Sequence, residues 1–191
     1  MERVRLEKQE LADCVVEAAT YVLQDILRYP PSRGQLEITP MQYTRDDLTV
    51  VSRISGDLSG ELFFGLSPEV ARGILQQMLR RDVTEFGRIE MSALSDLGGM
   101  ISDSALALLE ERGALCYSIS GGVVCGRGQH ATTLVLPSLA VPMRLVVGQL
   151  NINVLLAAFA PFAWAAPSGR LQGARIESLA PLGREPLPLA A

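Results

Sequence analysis

The sequence is poor in the side chains from which many catalytic and metal sites are built. It has one histidine, His130, and three scattered cysteines, Cys14, Cys116 and Cys125, with no C-x-x-C pair. One histidine cannot supply a histidine-based metal set, and no Ser-His-Asp or Cys-His pairing can be argued from the local sequence. The scattered cysteines favour reduced thiols over a disulfide framework or a zinc site. A lone histidine in a loop is more often solvated than catalytic.

Long apolar runs and an excess of positive charge are also missing. The most apolar stretch, residues 154–166, is interrupted by Pro161, whereas a membrane-spanning helix needs about 17–25 apolar residues. The first ten residues alternate in charge and lack the apolar segment of a secretory signal. The net charge of −4 and the pI near 5.1 argue against nucleic-acid binding. We therefore expect a cytoplasmic protein with neither a membrane nor a nucleic acid as partner.

The composition fits one folded domain followed by an extension. The chain has 191 residues, of which 48% are hydrophobic and 20% charged. This excludes a disordered chain and allows a sizeable core. Five of the eleven prolines fall in the last 31 residues, where apolar periodicity is weak. We predict a domain over residues 1–159 and a Pro/Ala-rich C-terminal extension over residues 160–191.

The first half of the chain predicts two helices around a group of strands. Residues 6–27 carry apolar side chains at spacings of three and four, which is typical of one buried helix face. Alternating or β-branched runs at 36–43, 48–54 and 61–66 predict strands separated by turns. Ser67, Pro68 and Glu69 then form a helix start, with serine as N-cap and proline at the first helical position.

The second half predicts one long helix followed by further strands. Residues 89–111 place an apolar stripe on one helix face, and Gly113 is suited to end the helix. The stripe consists of Leu94, Leu97, Ile101, Ala105 and Leu108. Strand-like segments follow at 116–119, 123–125, 132–136, 143–147 and 150–156, with turns expected at Gly121-Gly122 and Pro137-Ser138. This order predicts an α+β fold, an antiparallel or mixed β-sheet flanked by helices.

Two glycine-rich segments could bind phosphate or another anion. Residues 126–131 match the G-x-G-x-x-G/A pattern of dinucleotide sites. A strand-like segment follows them, where a nucleotide site needs a helix, so a glycine-rich hairpin loop is the favoured interpretation. The turn at 56–60 could bind an anion through backbone N–H groups. A hairpin turn that needs glycine backbone angles is favoured there too.

The long helix carries the most informative polar pattern. Ser92, Asp96, Gly99 and Asp103 follow one another at spacings of four, three and four, which places them on the face opposite the apolar stripe. Gly98 and Gly99 stand in mid-helix, where each costs about 1 kcal/mol relative to alanine. Close backbone approach or the loss of a bulkier functional residue would explain such glycines. An ordinary solvated face with a packing notch is the alternative.

Three segments of the sequence resemble a known family in the same order. They are 91–105 (MSALSDLGGMISDSA), 54–62 (ISGDLSGEL) followed by Ser67-Pro68-Glu69, and 124–153 with its late strands. The chain resembles the CheC/CheX/FliY chemotaxis phosphatases over residues 8–157, and CheX most of all. The resemblance implies a helix-flanked sheet and a surface helix that docks on a phosphorylated CheY-type receiver domain. It implies no resident cofactor, because Mg²⁺ comes with the receiver.

The family motif runs Asp/Ser, three residues, Glu, two residues, Asn. In this family the acid engages the receiver's active-site lysine and the asparagine amide orients the attacking water. The resemblance places Ser92 at the first position, Asp96 at that of the acid, and Gly99 at that of the asparagine. A receiver-docking face would consist of Ser92, Asp96 and Asp103. Glycine has no side chain to hold a water, so the motif is degenerate.

The resemblance thus predicts a CheX-like protein of chemotaxis or related two-component signalling. We expect it to bind a receiver domain and to have a weak or inactive phosphatase site. One alternative is an active phosphatase, with Asp96 as docking acid and another group orienting the water. A second alternative is a non-catalytic homodimer, because CheX proteins pair through their sheets and the late strands could do the same.

Overall fold

The computed structural model of the chain describes residues 6–40, 43–129 and 137–158. This part contains three α-helices and seven β-strands. In chain order they are α1 (Lys8–Leu27), β1 (Ser32–Arg33), β2 (Glu37–Pro40), β3 (Leu48–Gly56), β4 (Leu58–Leu66), α2 (Pro68–Leu79), α3 (Arg88–Glu111), β5 (Cys116–Cys125), β6 (Pro137–Leu145) and β7 (Gly148–Ala158).

The seven described strands form one sheet in which neighbouring strands run antiparallel. Its order is β1-β6-β7-β4-β3-β5, and β2 pairs with residues 137–140 of β6, on the same side of β6 as β1, which pairs with residues 143–144. β4 lies between β3 and β7, and nearly all of its residues are buried. β5 pairs with β3 alone and forms one edge of the described sheet. The prediction of an α+β fold is confirmed, and every described pairing is antiparallel.

The predicted helix starts are found in the structure. The Oγ of Ser67 accepts a hydrogen bond from the Val70 N–H at 3.3 Å, and Pro68 is the first residue of α2. The serine satisfies one of the free N–H groups at the helix start, and proline is favourable at the first position because it has no N–H that needs a partner. Before α1, the Glu7 N–H donates to the Glu10 carboxylate at 2.7 Å. α1 ends at Leu27, as its apolar pattern and the following Pro30-Pro31 predict.

All three helices pack on one face of the sheet. Their buried side chains form a single core with the alternate residues of β3, β4, β6 and β7 that point to the same side. Val51, Phe63 and Leu155 point to the opposite side and form a separate buried cluster without helix residues. This alternation follows from the period of two in a β-strand. The main core therefore fixes the helices, including α3, against one side of the sheet.

Some predictions from turn residues are wrong. Gly121 and Gly122 do not end a strand: β5 runs through them with a register shift against β3, and Gly122 has φ +85°. A β-bulge absorbs the glycines there. Pro137 does not form a turn either, because it is the first residue of β6, a position where proline is tolerated in a strand. The predicted strand at 132–136 lies outside the described residues.

The core of α3 differs from its predicted stripe in one position. Leu108 is only partly buried, and its neighbour Leu109 occupies the core instead. The other four predicted stripe residues are buried. All described residues belong to one unit that ends at Phe159. The predicted extension 160–191 lies outside the described residues.

Candidate functional site

The polar stripe predicted on α3 is accessible. Ser92, Asp96 and Asp103 are exposed and Gly99 is half-buried, while Leu94 and its apolar neighbours on the opposite side lie in the core. The 3.6-residue period of the helix brings the four positions onto one surface, as their spacing predicts. The docking face inferred from the resemblance can therefore be reached by another protein.

The start of α3 is held by a buried carboxylate. The Gly87 N–H donates to Oε2 of Glu90 at 2.9 Å, and the guanidinium of Arg81 contacts Oε1 of the same side chain. Hydrogen bonds from backbone N–H groups, assisted by Arg81, hold the pKa of Glu90 below its usual value. Free N–H groups and the helix dipole favour an anion at this end of a helix, so Glu90 stabilises the start of α3, two residues before the first stripe residue, Ser92.

The two glycines in mid-helix have different surroundings. A Cβ added to Gly98 would lie 2.5 Å from Cγ1 of Val50 on β3, so α3 approaches the sheet closely at this residue. A Cβ added to Gly99 would meet no atom within 4 Å. Packing therefore explains Gly98 and does not explain Gly99. The position that resembles the family's asparagine could hold a larger side chain without a clash.

Asp103 connects the stripe to the edge strand of the sheet. Oδ1 of Asp103 accepts a hydrogen bond of 2.5 Å from Oγ of Ser118 on β5, and both side chains are accessible to solvent. The sequence gives no local signal for this contact, because the partners are fifteen positions apart and the turn after α3 lies between them. Ser118 is thus a polar neighbour of the stripe that sequence reasoning missed.

No asparagine amide reaches the stripe, because the two asparagines of the chain lie on β7 and point away from the helices. The amide of Asn151 donates to Oδ1 of Asp46 at 2.8 Å. Asn153 is buried, and its Oδ1 accepts a hydrogen bond from Oγ of Ser138 at 3.4 Å. Their β7 neighbours Leu150 and Ile152 point the other way, into the core shared with the helices. The sheet therefore separates both amides from Gly99.

The first glycine-rich segment is tied into the fold by its own hydrogen bonds. Thr44 bonds through its backbone and hydroxyl to Gly126, Gly128 and Gln129 at distances of 2.7–3.0 Å. Arg127 forms two hydrogen bonds of 2.9 Å to the carboxylate of Asp47, which hold the pKa of that carboxyl below its usual value. These contacts favour the structural interpretation of residues 126–129. His130 and Ala131 lie outside the described residues.

The second glycine-rich segment is a hairpin turn, as favoured from the sequence. β3 and β4 are joined through Asp57, with φ +132° at Gly56. The Asp57 N–H donates to the Leu115 carbonyl oxygen at 2.9 Å, and Oδ2 of Asp57 accepts from the Leu115 N–H at 2.9 Å. The turn is therefore held against the start of β5.

The cysteines and acidic residues build no further site in the described chain. All three cysteines are free: Cys14 is buried, Cys116 half-buried and Cys125 exposed. Burial raises the pKa of the Cys14 and Cys116 thiols. Within residues 6–40, 43–129 and 137–158, no group of three or more histidine, cysteine, aspartate or glutamate side chains could hold a metal ion. No helix of this part has both the length and the apolarity to cross a membrane.

Comparison with known proteins shows which solved structures have a similar fold. No protein-family model matches the chain, and no curated protein matches it at a significant level. Among solved structures, the chain is similar to the chemotaxis protein CheX from Desulfovibrio desulfuricans, at 24% identity and a TM-score of 0.68. That similarity covers 78% of this chain and 99% of the other. A CheC-like superfamily protein from Shewanella sp. PV-4 matches at 14% identity and a TM-score of 0.70, over 80% and 100% of the two chains.

A third similar structure contains a partner. It is the complex of CheX with CheY, BeF3 and Mg²⁺ from Borrelia burgdorferi, at 15% identity and a TM-score of 0.62, covering 80% of this chain and 99% of that one. FliY from Thermotoga maritima also has this architecture. The chain therefore has the fold shared by the CheX, CheC-like and FliY chemotaxis proteins.

Proposed function

We propose that the protein binds a CheY-type receiver domain through the polar stripe of α3. The observation that carries this proposal is the exposure of Ser92, Asp96 and Asp103 on one face of a helix whose other face is anchored in the core. A rigid element is a suitable platform for a docking site. The similar CheX from Borrelia burgdorferi is a binding partner of CheY in its solved complex, which supports the same class of partner here.

Asp96 is the residue on which we expect receiver binding to depend most. Its carboxylate stands at the position of the motif acid and is exposed, so it can form an ion pair with the lysine of a receiver's active site. Ser92 lies one turn earlier at the first motif position. Mg²⁺ would be supplied by the receiver rather than by this chain. We further propose that this pairing takes place in the cytoplasm.

We propose that phosphatase activity is weak or absent. Glycine at position 99 offers no amide to orient water, and the two asparagines lie on β7, which directs them away from α3. Phosphoryl transfer depends mainly on positioning. Removing a positioned polar group of this kind costs about 10²–10³ in rate in other enzymes.

Two measurements test these proposals. In the first, binding to CheY-type receivers loaded with beryllofluoride and Mg²⁺ is titrated for the wild type, Asp96→Arg and a control, Glu37→Arg. Glu37 is an exposed acid on β2 at the other edge of the sheet. We expect Asp96→Arg to abolish binding and Glu37→Arg to leave it unchanged. Equal binding by all three proteins would refute docking at the stripe.

In the second, loss of phosphate from a phosphorylated receiver is followed with the wild type and with Gly99→Asn. Because position 99 is open, the new side chain is accommodated without a clash. We expect no acceleration by the wild type and a gain with Gly99→Asn. Acceleration by the wild type would instead establish the alternative, an active phosphatase.

One observation favours homodimerisation as a second role. Among the described strands β5 pairs only with β3, and its segment exposes three large apolar side chains: Leu115 immediately before the strand, and Tyr117 and Ile119 within it. An unpaired strand edge with exposed apolar residues is a template for pairing with another chain. We propose that two copies associate along this edge.

A further inference from the structure

The exposed face of α3 begins one turn before the motif. Arg88 is the first residue of the helix and is exposed, four positions before Ser92. Residues four apart on a helix are neighbours, so the guanidinium continues the stripe toward the N-terminal end. Ile89, the next residue, is 63% exposed. The stripe therefore has a cationic and apolar end in addition to its acidic part.

The charge of Arg88 does not help α3 to fold. The N-terminal end of a helix carries a partial positive charge and favours anions, so a cation there has the unfavourable sign. Arg88 forms no ion pair within the described residues, although Asp82 and Glu85 lie in the segment that joins α2 to α3. Arg81, in the same segment, is paired with Glu90. Stability therefore gives no reason for an arginine at this place.

The chemistry of the proposed partner gives such a reason. Mg²⁺ in proteins is held mainly by carboxylates and phosphate oxygens, so a receiver site loaded with Mg²⁺ and a phosphoryl group is surrounded by negative charge. The carboxylates of Asp96 and Asp103 attract the lysine of such a site but repel the carboxylates around it. A cation one turn from Ser92 is complementary to that acidic surround.

We infer that Arg88, with Ile89 beside it, belongs to the docking surface of α3 and contacts the acidic rim of the partner's phosphorylation site. This inference rests on the proposed function and deepens it, because it assigns an electrostatic contact outside the motif. It also assigns the partner's orientation, with the acidic rim against the N-terminal end of α3 and the lysine against Asp96.

The charge reversal Arg88→Glu separates binding from folding, because the two effects have opposite signs. Glutamate at the first helical position has the sign that the helix dipole favours, so the melting temperature should stay unchanged or rise. Binding to the receiver loaded with beryllofluoride and Mg²⁺ should weaken about tenfold, mainly through a slower association rate. The dependence of affinity on salt concentration should also become shallower.

Arg144→Glu is the matched control. Arg144 is an exposed arginine on β6. Its neighbours Met143 and Leu145 lie in or against the core, so Arg144 points to the other side of the sheet. We expect this variant to bind like the wild type. Unchanged affinity of Arg88→Glu, or an equal loss with Arg144→Glu, would overturn the inference while leaving the proposed function intact. Failure of the wild type to bind any CheY-type receiver from its own genome would overturn both.

Discussion

At the scale of single residues, Gly98 and Gly99 provide a matched pair for stability. They are adjacent in the same helix, but a Cβ at 98 would lie 2.5 Å from Val50 and a Cβ at 99 would meet nothing within 4 Å. Gly99→Ala should raise the free energy of unfolding by about 0.5–1 kcal/mol, because alanine loses less backbone entropy on folding. Gly98→Ala should lower it by about 1–3 kcal/mol, because α3 or Val50 must shift.

Chemical denaturation of the two variants measures this difference. Ser102 lies one turn after Gly98, and its hydroxyl donates to the Gly98 carbonyl oxygen at 2.7 Å. Hydrogen exchange of the backbone amide of Ser102 would therefore report a displacement of α3 at this point. Equal effects of the two substitutions would contradict the close approach of α3 to β3. A stabilised Gly99→Ala would show that packing does not require glycine at 99.

A second prediction at the residue scale concerns how the carboxyl of Asp46 makes the stability of the protein depend on pH. Burial raises the pKa of its carboxyl, although the amide of Asn151 donates to it at 2.8 Å. The folded state therefore binds this proton more tightly than the unfolded state. The resulting stability is fully present below about pH 4 and is lost as the pH rises through the folded pKa. Asp46→Asn should raise the melting temperature at pH 7 and flatten its pH dependence above pH 4.

Asp47 is the matched control, because its shift has the opposite sign. The hydrogen bonds from Arg127 lower its pKa, so its contribution is present above about pH 4 and is lost as the pH falls. Asp47→Asn should therefore lower the melting temperature at pH 7. Thermal unfolding of both variants between pH 3 and 8 measures the two slopes. A lower melting temperature of Asp46→Asn at pH 7 would contradict the assigned cost of burying that carboxylate.

At the scale of secondary-structure elements, local rules predicted the helices better than the late strands. Helix faces and starts depend on neighbours in sequence, so the apolar spacing of α1 and the Ser67-Pro68 start of α2 were sufficient. The glycines inside β5 and the proline that starts β6 are turn signals locally. Pairing with β3 and β7, which are distant in sequence, determines their structure instead.

The same distinction holds for the candidate site. The spacing on α3 predicted which residues share its exposed face, because that depends on the helical period alone. It could not predict that Ser118 bonds to Asp103 or that Val50 requires a glycine at 98, because these contacts join elements far apart in the chain. The family motif assigned roles to Ser92, Asp96 and Gly99, and those roles remain predictions.

At the scale of the whole molecule, the proposed homodimer depends on which edge of the sheet is open. Within residues 6–40, 43–129 and 137–158, β5 has a ladder partner on one side only, whereas the other edge consists of the short strands β1 and β2 beside β6. Short edge strands discourage pairing, and a strand of ten residues with exposed apolar side chains favours it. We therefore expect association through β5 rather than through β2.

Ile119→Lys and Ile38→Lys test this choice with the same substitution at the two edges. Ile119 on β5 is 51% exposed and Ile38 on β2 is 68% exposed, so neither change removes a core side chain. Lysine on an edge strand opposes pairing by charge repulsion and desolvation. Sedimentation over a range of concentrations should show a dimer for the wild type and Ile38→Lys, and a dissociation constant at least about tenfold higher for Ile119→Lys. A monomeric wild type, or dissociation caused by Ile38→Lys alone, would contradict pairing along β5.

If two copies pair along β5, Ser118 and the Asp103 end of the stripe lie beside the dimer contact. Receiver binding should then depend on protein concentration.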